Sequence, residues 1–476
     1  MNALLTMSSF IFPLISFPYV SRILGPTGTG KVNFATSFIA YFSMFAQLGI
    51  PTYGIRACAR VRDDKQELTK VAQELLIINL ITTLISYVGL FICIILVPRL
   101  QSDRELYIII SFSIILKTIG MEWVYKALEQ YSYITIRSIV FKFVAVIAMF
   151  LLIRKEEDYI IYGGLSILAA SASNIFNFIN IHKYIGLKPV GNYDFNRHIK
   201  PILVFFGMSI AATIYTNLDS VVLGFMASDA DVGYYSAAIK IKNILVSLVT
   251  SLGTVLLPRV SYYIENKQMD EFKRIYEKAL DFVFVVATPI TIYFILFAKE
   301  GIYFLSGELY ADSIIPMQIV MPTVILIGLS NITGIQILIP LGLEKIVLYS
   351  QTIAAIVDCI INVLLIPQFK SIGAAIAILS AEAVVLLYQY IALKKNHFKV
   401  DRKIGYLAIL IGVIIASIAS LPIKLLGFNS FFTLLPSAIV FFGIYLITIT
   451  LMKETLIIEI ETQLISKVKE FKNMCD

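Results

Sequence analysis

Residues 71–97 read VAQELLIINLITTLISYVGLFICIILV, and Glu74 is the one charged residue among these 27 positions. A helix rises about 1.5 Å per residue, so the run is long enough to cross the roughly 30 Å hydrocarbon core of a bilayer. Inside that core the backbone must satisfy its own hydrogen bonds, which a helix does without a neighbouring strand. The run therefore predicts a transmembrane helix.

Similar apolar stretches fill the rest of the chain. Of its 476 residues, 58% are hydrophobic and 15% are charged, with a mean hydropathy of +0.83. Soluble domains carry about 25% charged residues, so the apolar surplus must face lipid or other spanning helices. We therefore expect an all-α integral membrane protein with about 14 transmembrane helices, near 2–21, 32–52, 71–97, 106–124, 133–153, 159–181, 200–225, 232–257, 279–298, 312–339, 346–366, 372–393, 404–421 and 431–452.

The distribution of lysine and arginine predicts the orientation. If the N-terminus is cytoplasmic, the cytoplasmic loops hold 26 of the 39 cations and the outer loops hold nine. Cytoplasmic loops of membrane proteins carry an excess of Lys and Arg. Both termini are therefore predicted to be cytoplasmic, and the net charge of +7 reflects membrane topology rather than nucleic-acid binding.

Two sets of matches indicate an internal repeat. Gly30-Lys31 and Leu48-Gly49 recur as Gly233-Tyr234 and Leu252-Gly253, and residues 162–168 resemble residues 372–378. The pattern predicts two six-helix lobes in parallel orientation, an architecture typical of transporters that alternate between two open states. The predicted parts are an N-terminal lobe at 1–187, a C-terminal lobe at 188–395, two further spans at 396–452 and a cytoplasmic amphipathic tail at 453–476.

No catalytic or metal-binding motif is recognisable. Four scattered cysteines and three loop histidines predict neither a disulfide framework nor a metal centre. The segment Gly25 to Lys31 fits the glycine-rich phosphate-binding pattern G-x-x-x-x-G-K, but Val32 stands where that pattern needs Ser or Thr. A turn between two spans explains it better, and we expect a protein that is not an enzyme and needs no cofactor.

Ionisable residues inside predicted spans are candidates for function because burying a charge in a membrane is costly. Lysines facing a cavity would suit an anionic headgroup such as a diphosphate, and buried carboxylates would suit a coupled proton or sodium ion. The substrate-binding candidates are Lys117, Lys142 and Lys240, and the ion-coupling candidates are Asp219, Asp358 and Glu382. Structural pairing between helices remains an alternative for each. Glu122, Lys242 and Asp281 lie nearer span ends, where long side chains reach the membrane interface.

Several segments carry a family resemblance. Residues 12–26, 48–56, 61–65, 123–129 and 216–219 closely resemble the Wzx-type polysaccharide repeat-unit flippases, an oligosaccharide flippase family of the multidrug/oligosaccharidyl-lipid/polysaccharide exporter superfamily. Residues 252–258 also look like the more distant lipid II flippases. Lys240 falls near an arginine of their second lobe, whereas the arginines of their first lobe have no counterpart in this sequence.

The resemblance implies a function. It implies that the chain moves an undecaprenyl-diphosphate-linked oligosaccharide from the inner to the outer leaflet of a bacterial plasma membrane, by alternating access and without ATP. A polysaccharide polymerase or other glycan-assembly proteins would then use the product. The alternatives are a drug/cation antiporter of the same fold, whose site should be rich in carboxylates, and a membrane glycosyltransferase or polymerase, which usually carries a large catalytic outer loop.

Overall fold

The computed structural model describes residues 2–186, 188–266, 268–395 and 405–454, with the backbone alone at 2–11, 252–258 and 261. Within these ranges every regular element is a helix, so the prediction of an all-α membrane protein is confirmed. The tail predicted beyond residue 454 and the start of the thirteenth predicted span lie outside the described residues.

Eighteen α-helices are described. The first nine are α1 Asn2–Gln47, α2 Ile50–Ala59, α3 Lys65–Leu96, α4 Pro98–Gln101, α5 Arg104–Gly120, α6 Glu122–Ala127, α7 Tyr131–Leu152, α8 Tyr159–Ile167 and α9 Asn174–Asn180. The others are α10 Asn196–Met226, α11 Asp229–Glu265, α12 Met269–Leu296, α13 Ala298–Ser306, α14 Ile314–Val320, α15 Thr323–Asn331, α16 Glu344–Lys395, α17 Tyr406–Ser420 and α18 Ser430–Leu451. Short 3₁₀ or π turns adjoin several of them, at Glu156–Asp158, Leu168–Ala172, Ile181–Lys183, Glu308–Ser313, Ile332–Leu338 and Leu421–Leu426.

The described residues contain nine helices long and apolar enough to cross a membrane, or ten if the bent pair Glu308–Val320 and Thr323–Leu338 forms one span. Helices α1 and α16 have 46 and 52 residues, more than twice what one crossing needs. Each contains one non-helical residue, Gly25 in α1 and Lys370 in α16. The loop expected between the first two spans is therefore a break at a single glycine. The number fourteen stays a prediction.

The chain forms two compact units. Unit 1 comprises residues 1–236 with the short segments 305–309 and 366–370, and unit 2 comprises 237–304, 310–365 and 371–476. The lobes expected from the repeat, 1–187 and 188–395, have different limits and stay a prediction. Each unit is described by itself.

In unit 1, positions matched by the repeat lie against each other. A Cβ on Gly30 would lie 1.7 Å from the carbonyl oxygen of Asp229, and one on Gly233 would lie 2.0 Å from that of Pro26. The Asn33 amide donates to the Ser236 hydroxyl at 2.8 Å, and these two residues are 203 positions apart, as Gly30 and Gly233 are. A two-fold axis relating two repeats would bring matched positions together in this way. Here glycine is needed because two backbones are in contact.

A buried apolar cluster in unit 1 joins α2, α3 and α6 and places the short α6. Leu75, Val124 and Tyr125 are completely buried in it, and Tyr125 donates its hydroxyl hydrogen bond to the Asn177 carbonyl at 2.7 Å. Gly54 lies so close to the indole of Trp123 that a Cβ there would be 2.7 Å from its ring. The cluster thus fixes one turn of helix that would be marginal in isolation.

Unit 2 has its own core, in which α12 packs against α17 and α18. Tyr293 stacks on Phe297 with ring centroids 4.8 Å apart, and Tyr445 donates to the Val285 carbonyl at 2.8 Å. Phe441 is fully buried beside them. Tyrosine suits this position because its ring packs apolar surface while its hydroxyl reaches a backbone acceptor.

Candidate functional site

Unit 1 contains an open cavity of about 450 Å³ with polar and apolar lining residues. Its walls come from α1, α2, α5, α6, α10, the beginning of α9 and the segment before it. The lining residues are Ala40, Ser43, Met44, Gln47, Gly49, Pro51, Thr52, Lys117, Glu122, Trp123, Lys126, Ala170, Asn174, Ser209, Thr213 and Asn217. Two lysines face one carboxylate in this set, so the lining is net positive. A volume of this order accommodates a headgroup or a few sugar rings.

The charged wall is built at the junction of α5 and α6. Lys117 lies in the last turn of α5, and its Nζ is 3.5 Å from the Ser43 hydroxyl. Met121 has a positive φ of 41° and ends α5, after which Glu122 and Lys126 lie one turn apart on α6. Lys126 Nζ contacts Glu122 Oε1 at 2.8 Å. The helix break at Met121 therefore precedes a short helix whose Glu122 and Lys126 line the same cavity as Lys117.

A buried arginine supports this wall from α7. Arg137 Nη2 lies 3.9 Å from Glu122 Oε2, and Nη1 donates to the Ser173 carbonyl at 2.9 Å. Only 7% of its side chain is exposed. A buried guanidinium needs a partner, and the Glu122 carboxylate supplies it while also holding Lys126.

The neutral wall carries hydroxyl and amide groups. Ser209, Thr213 and Asn217 are four residues apart and therefore share one face of α10. Gln47 donates to the Thr118 hydroxyl at 3.1 Å, and Asn174 is buried at the cavity edge. Such groups hydrogen-bond readily to sugar hydroxyls.

A tight contact holds α10 beside α1 and α2. Gly49 lies between α1 and α2 and has a φ of 75°. A Cβ on Gly49 would lie 2.5 Å from the Phe206 backbone nitrogen on α10. No other residue fits a left-handed conformation at so close an approach.

A buried ionic cluster anchors the N-terminal end of α10 to α3. Glu74 is fully buried and accepts hydrogen bonds from Arg197 Nη2 at 2.6 Å and from the Asp194 backbone at 2.7 Å. His198 Nε2 lies 2.8 Å from the same carboxylate, and its Nδ1 lies 2.8 Å from the Tyr53 hydroxyl. The cluster fixes the beginning of the helix that carries the neutral wall.

A second set of charges lies at the N-terminal ends of α5 and α11. Lys31 pairs with Asp103 at 2.8 Å, and Tyr159 donates to the same carboxylate at 2.8 Å. Arg99 pairs with Asp229, next to the contact between Gly30 and Gly233. These ion pairs join α1, α5, α8 and α11 within unit 1.

The candidate residues of unit 1 fall in different places. Lys117 lines the cavity, as a substrate-binding residue should. Lys142 is half-buried on α7 and is not among the lining residues. Asp219 is buried on α10, where it accepts a hydrogen bond from Tyr235. The proposed roles of Lys117, Lys142 and Asp219 stay predictions.

The other candidates belong to unit 2. Asp358 and Glu382 are buried on α16, and Lys240 is half-buried on α11. Asp281 is buried on α12. Their proposed roles, too, stay predictions.

The sequence does not single out two charged residues of this site, Lys126 and Arg137. They lie near the ends of predicted spans, where cations are expected. Glu122 lies within the predicted span 106–124, and the structure pairs it with Lys126 across a new helix that begins at Glu122 itself. A methionine in the left-handed conformation is uncommon, so no strong sequence signal marks the break between α5 and α6.

The family is evident from comparison with known proteins. The model of the family described as polysaccharide biosynthesis protein matches residues 1–264, more than half of the chain. The chain belongs to the polysaccharide biosynthesis protein family. This agrees with the resemblance noted in the sequence. A second family model, MatE, matches residues 205–364.

Relatives of this polysaccharide biosynthesis protein have names that refer to transport. A protein of Escherichia coli K12 named "Putative O-antigen transporter" is 24% identical over 393 residues, covering 82% of this chain and 94% of the relative. A protein of the same name from Shigella dysenteriae is 27% identical over 407 residues, covering 81% and 97%.

Solved structures show that this family member shares the fold of known multi-span transporters. The lipid II flippase MurJ in an inward closed conformation superposes with a TM-score of 0.64 at 17% identity, covering 94% of this chain and 98% of that one. An inward-facing multidrug resistance transporter of the MATE family gives 0.60 at 17% identity, covering 82% and 96%. The chain is thus a multi-pass membrane protein with a transporter fold.

Proposed function

We propose that the protein is a flippase that carries an undecaprenyl-diphosphate-linked oligosaccharide across the membrane by alternating access, for surface polysaccharide synthesis. The observation that carries this proposal is the cavity of unit 1, where Lys117 and Lys126 face a wall of hydroxyl and amide groups. Family membership and relatives named as O-antigen transporters support the same substrate class. No chemical step is required of the protein in this role.

The two walls suit the two polar parts of such a substrate. Ammonium groups bind phosphate oxygens by charge-assisted hydrogen bonds, which are about twice as strong as neutral ones. Hydroxyl and amide side chains pair with sugar hydroxyls. Lys117 and Lys126 would therefore hold the diphosphate, and Ser209, Thr213 and Asn217 would contact the sugars.

The proposal includes a membrane location and a driving force for export. The excess of loop cations supports a bacterial plasma membrane location with both termini cytoplasmic. Export of a negative charge is favoured by an inside-negative potential, by about 2.3 kcal/mol per charge per 100 mV. Coupling to protons or sodium through Asp219, Asp358 or Glu382 would add to this driving force. A polysaccharide polymerase is the natural partner on the far side.

A drug/cation antiporter is a second candidate because the MatE family model matches residues 205–364 and a MATE structure shares the fold. The charge of the cavity of unit 1 counts against it. A cationic drug would meet Lys117 and Lys126 with Glu122 as the single carboxylate of the lining.

Surface glycan production tests the proposed function in cells. In a strain that depends on this protein for glycan export, Lys117→Ala should reduce surface glycan at normal protein levels, because the diphosphate loses a direct ligand. Lys183→Ala is a matched control, since it removes an exposed lysine of the same unit that does not line the cavity. Normal glycan in both variants would contradict a role for this cavity in export.

A further inference from the structure

The charged wall has a feature that a simple anion site would not need. Lys126 Nζ lies 2.8 Å from Glu122 Oε1, whereas Lys117 Nζ contacts a neutral hydroxyl, that of Ser43, at 3.5 Å. The two lysines that face the cavity thus differ, because a carboxylate neutralises one of them.

This ion pair is accessible to a ligand. About a third of each side chain is exposed, 37% for Lys126 and 35% for Glu122, and both residues line the cavity. Pairs with this degree of exposure contribute little to stability, about 0–1 kcal/mol, and exchange partners at little cost. An anion entering the cavity can therefore compete with Glu122 for Lys126.

The opposite edge of Glu122 is anchored. Its Oε2 lies 3.9 Å from Arg137 Nη2, and Arg137 is buried and also donates to the Ser173 carbonyl. A carboxylate that keeps this place beside Arg137 while Lys126 binds a ligand would face the bound anion. Like charges at such short range repel, so the bound state is weakened.

We infer that Glu122 is an internal counter-ion that the anionic group of the substrate displaces from Lys126. The inference rests on the proposed function, because it assigns a role to a residue of the same cavity. In the empty cavity, the Glu122 carboxylate pairs with Lys126. In the loaded cavity, the diphosphate pairs with Lys126 instead. When the pair between Lys126 and Glu122 forms again, it helps the substrate to leave. Glu122 is a positioning and specificity-determining residue here, since it acts through Lys126.

The arrangement also selects by the number of phosphate groups. A single phosphate group that binds Lys117 must displace a carboxylate to reach Lys126 as well. A diphosphate has two charged groups that can engage both lysines at once, and specificity is the difference between these two affinities. Removal of Glu122 should therefore tighten the binding of phosphate more than that of diphosphate.

Binding can be measured with the tryptophan of the cavity. Trp123 is the single tryptophan of the chain and lines the cavity, so quenching of its fluorescence reports on ligand entry. The full chain in maltoside micelles would be titrated with undecaprenyl diphosphate, with undecaprenyl monophosphate and with inorganic phosphate. Glu122→Gln should lower the Kd for the diphosphate about tenfold, which corresponds to about 1.4 kcal/mol, and should slow transport in liposomes.

A matched control and a double-mutant cycle make the test specific. Glu129→Gln removes a carboxylate that pairs with Arg62 at 3.1 Å outside the cavity, and it should leave the Kd unchanged. In a Lys126→Met background, Glu122→Gln should tighten binding far less than in the wild type, because the competed lysine is gone. Glu122→Ala gives the same expectation if the glutamine variant does not fold.

The outcomes separate the two proposals. If the wild type binds diphosphate and neither Glu122 variant binds it more tightly, the counter-ion role is wrong while the proposed function stands. If the wild type shows no saturable binding of diphosphate, and Lys117→Ala changes nothing, the proposed function itself is wrong. Tighter binding in the Glu122 variants that persists in full after loss of Lys126 would also overturn the inference.

Discussion

The ionic cluster at Glu74 allows a prediction in which two carboxylates bind the same arginine. Arg197 donates to the fully buried Glu74 at 2.6 Å and to the one-third exposed Glu67 at 2.8 Å. Glu74 also accepts a hydrogen bond from the Asp194 backbone at 2.7 Å and lies 2.8 Å from His198 Nε2. We compare Glu74→Gln with Glu67→Gln, two changes of identical chemistry on one helix.

The expected magnitudes differ because burial differs. Glu74→Gln replaces charge-assisted hydrogen bonds of a fully buried carboxylate, and hydrogen bonds to charged groups contribute about 1.5–3 kcal/mol. Arg197 is one-third exposed and would keep Glu67, so its charge is still compensated. Loss of an exposed pair costs about 0–1 kcal/mol. Glu74→Gln should therefore lower the free energy of unfolding by about 1.5–3 kcal/mol and Glu67→Gln by about 1 kcal/mol or less.

Equilibrium unfolding by dodecyl sulfate in mixed micelles, followed by circular dichroism, measures both variants under one condition. Because Glu74 anchors the N-terminal end of α10, the variant should also expose that end to proteolysis at lower detergent concentration. Equal and small effects of the two substitutions would refute the reasoning, since the buried carboxylate would then contribute no more than the exposed one.

Three further predictions concern other parts of the chain. Gly30→Ala should destabilise the protein by about 1–3 kcal/mol, because its Cβ would meet the Asp229 carbonyl. Gly207→Ala should not destabilise it, because there is open space around Gly207. Thermal unfolding of the two variants measures this difference. Asp219→Asn keeps an acceptor for the Tyr235 hydroxyl, so the stability of the protein should change little. Because the carboxylate is lost, transport in liposomes should lose its dependence on pH or sodium. Unaltered ion dependence would exclude Asp219 from coupling. Lys240→Ala should impair glycan export without loss of folded protein. Normal surface glycan in this variant would exclude Lys240 from substrate binding.

Much of the fold could be predicted from sequence because the bilayer restricts the possibilities. Long apolar runs must be helices in lipid, and this physical constraint needs no tertiary information. Helix breaks were harder to locate. Gly25 with the following Pro26 indicates one break, and the interval between the predicted spans 346–366 and 372–393 contains the other, at Lys370. Met121 adopts a positive φ with no composition that predicts it. Its conformation depends on tertiary packing.

Part of the candidate site could be predicted because burying a charge in a membrane is costly. Lys117 was recognisable because a lysine within an apolar run demands an explanation. Lys126 and Arg137 lie near span ends, where cations are common, and only their contacts with Glu122 show that they belong to the wall. Ser209, Thr213 and Asn217 have a helical spacing that could have indicated a polar face on α10.

The central claim is that the cavity of unit 1 carries a diphosphate-linked oligosaccharide across the membrane. Its most direct test is transport by purified protein in liposomes, where a fluorescent undecaprenyl-diphosphate-linked oligosaccharide in the inner leaflet becomes accessible to an external quencher once it is flipped. The account predicts time-dependent quenching with the wild type, a strong decrease with Lys117→Ala, and undiminished transport with Lys183→Ala. Transport by Lys117→Ala at the wild-type rate would contradict the account.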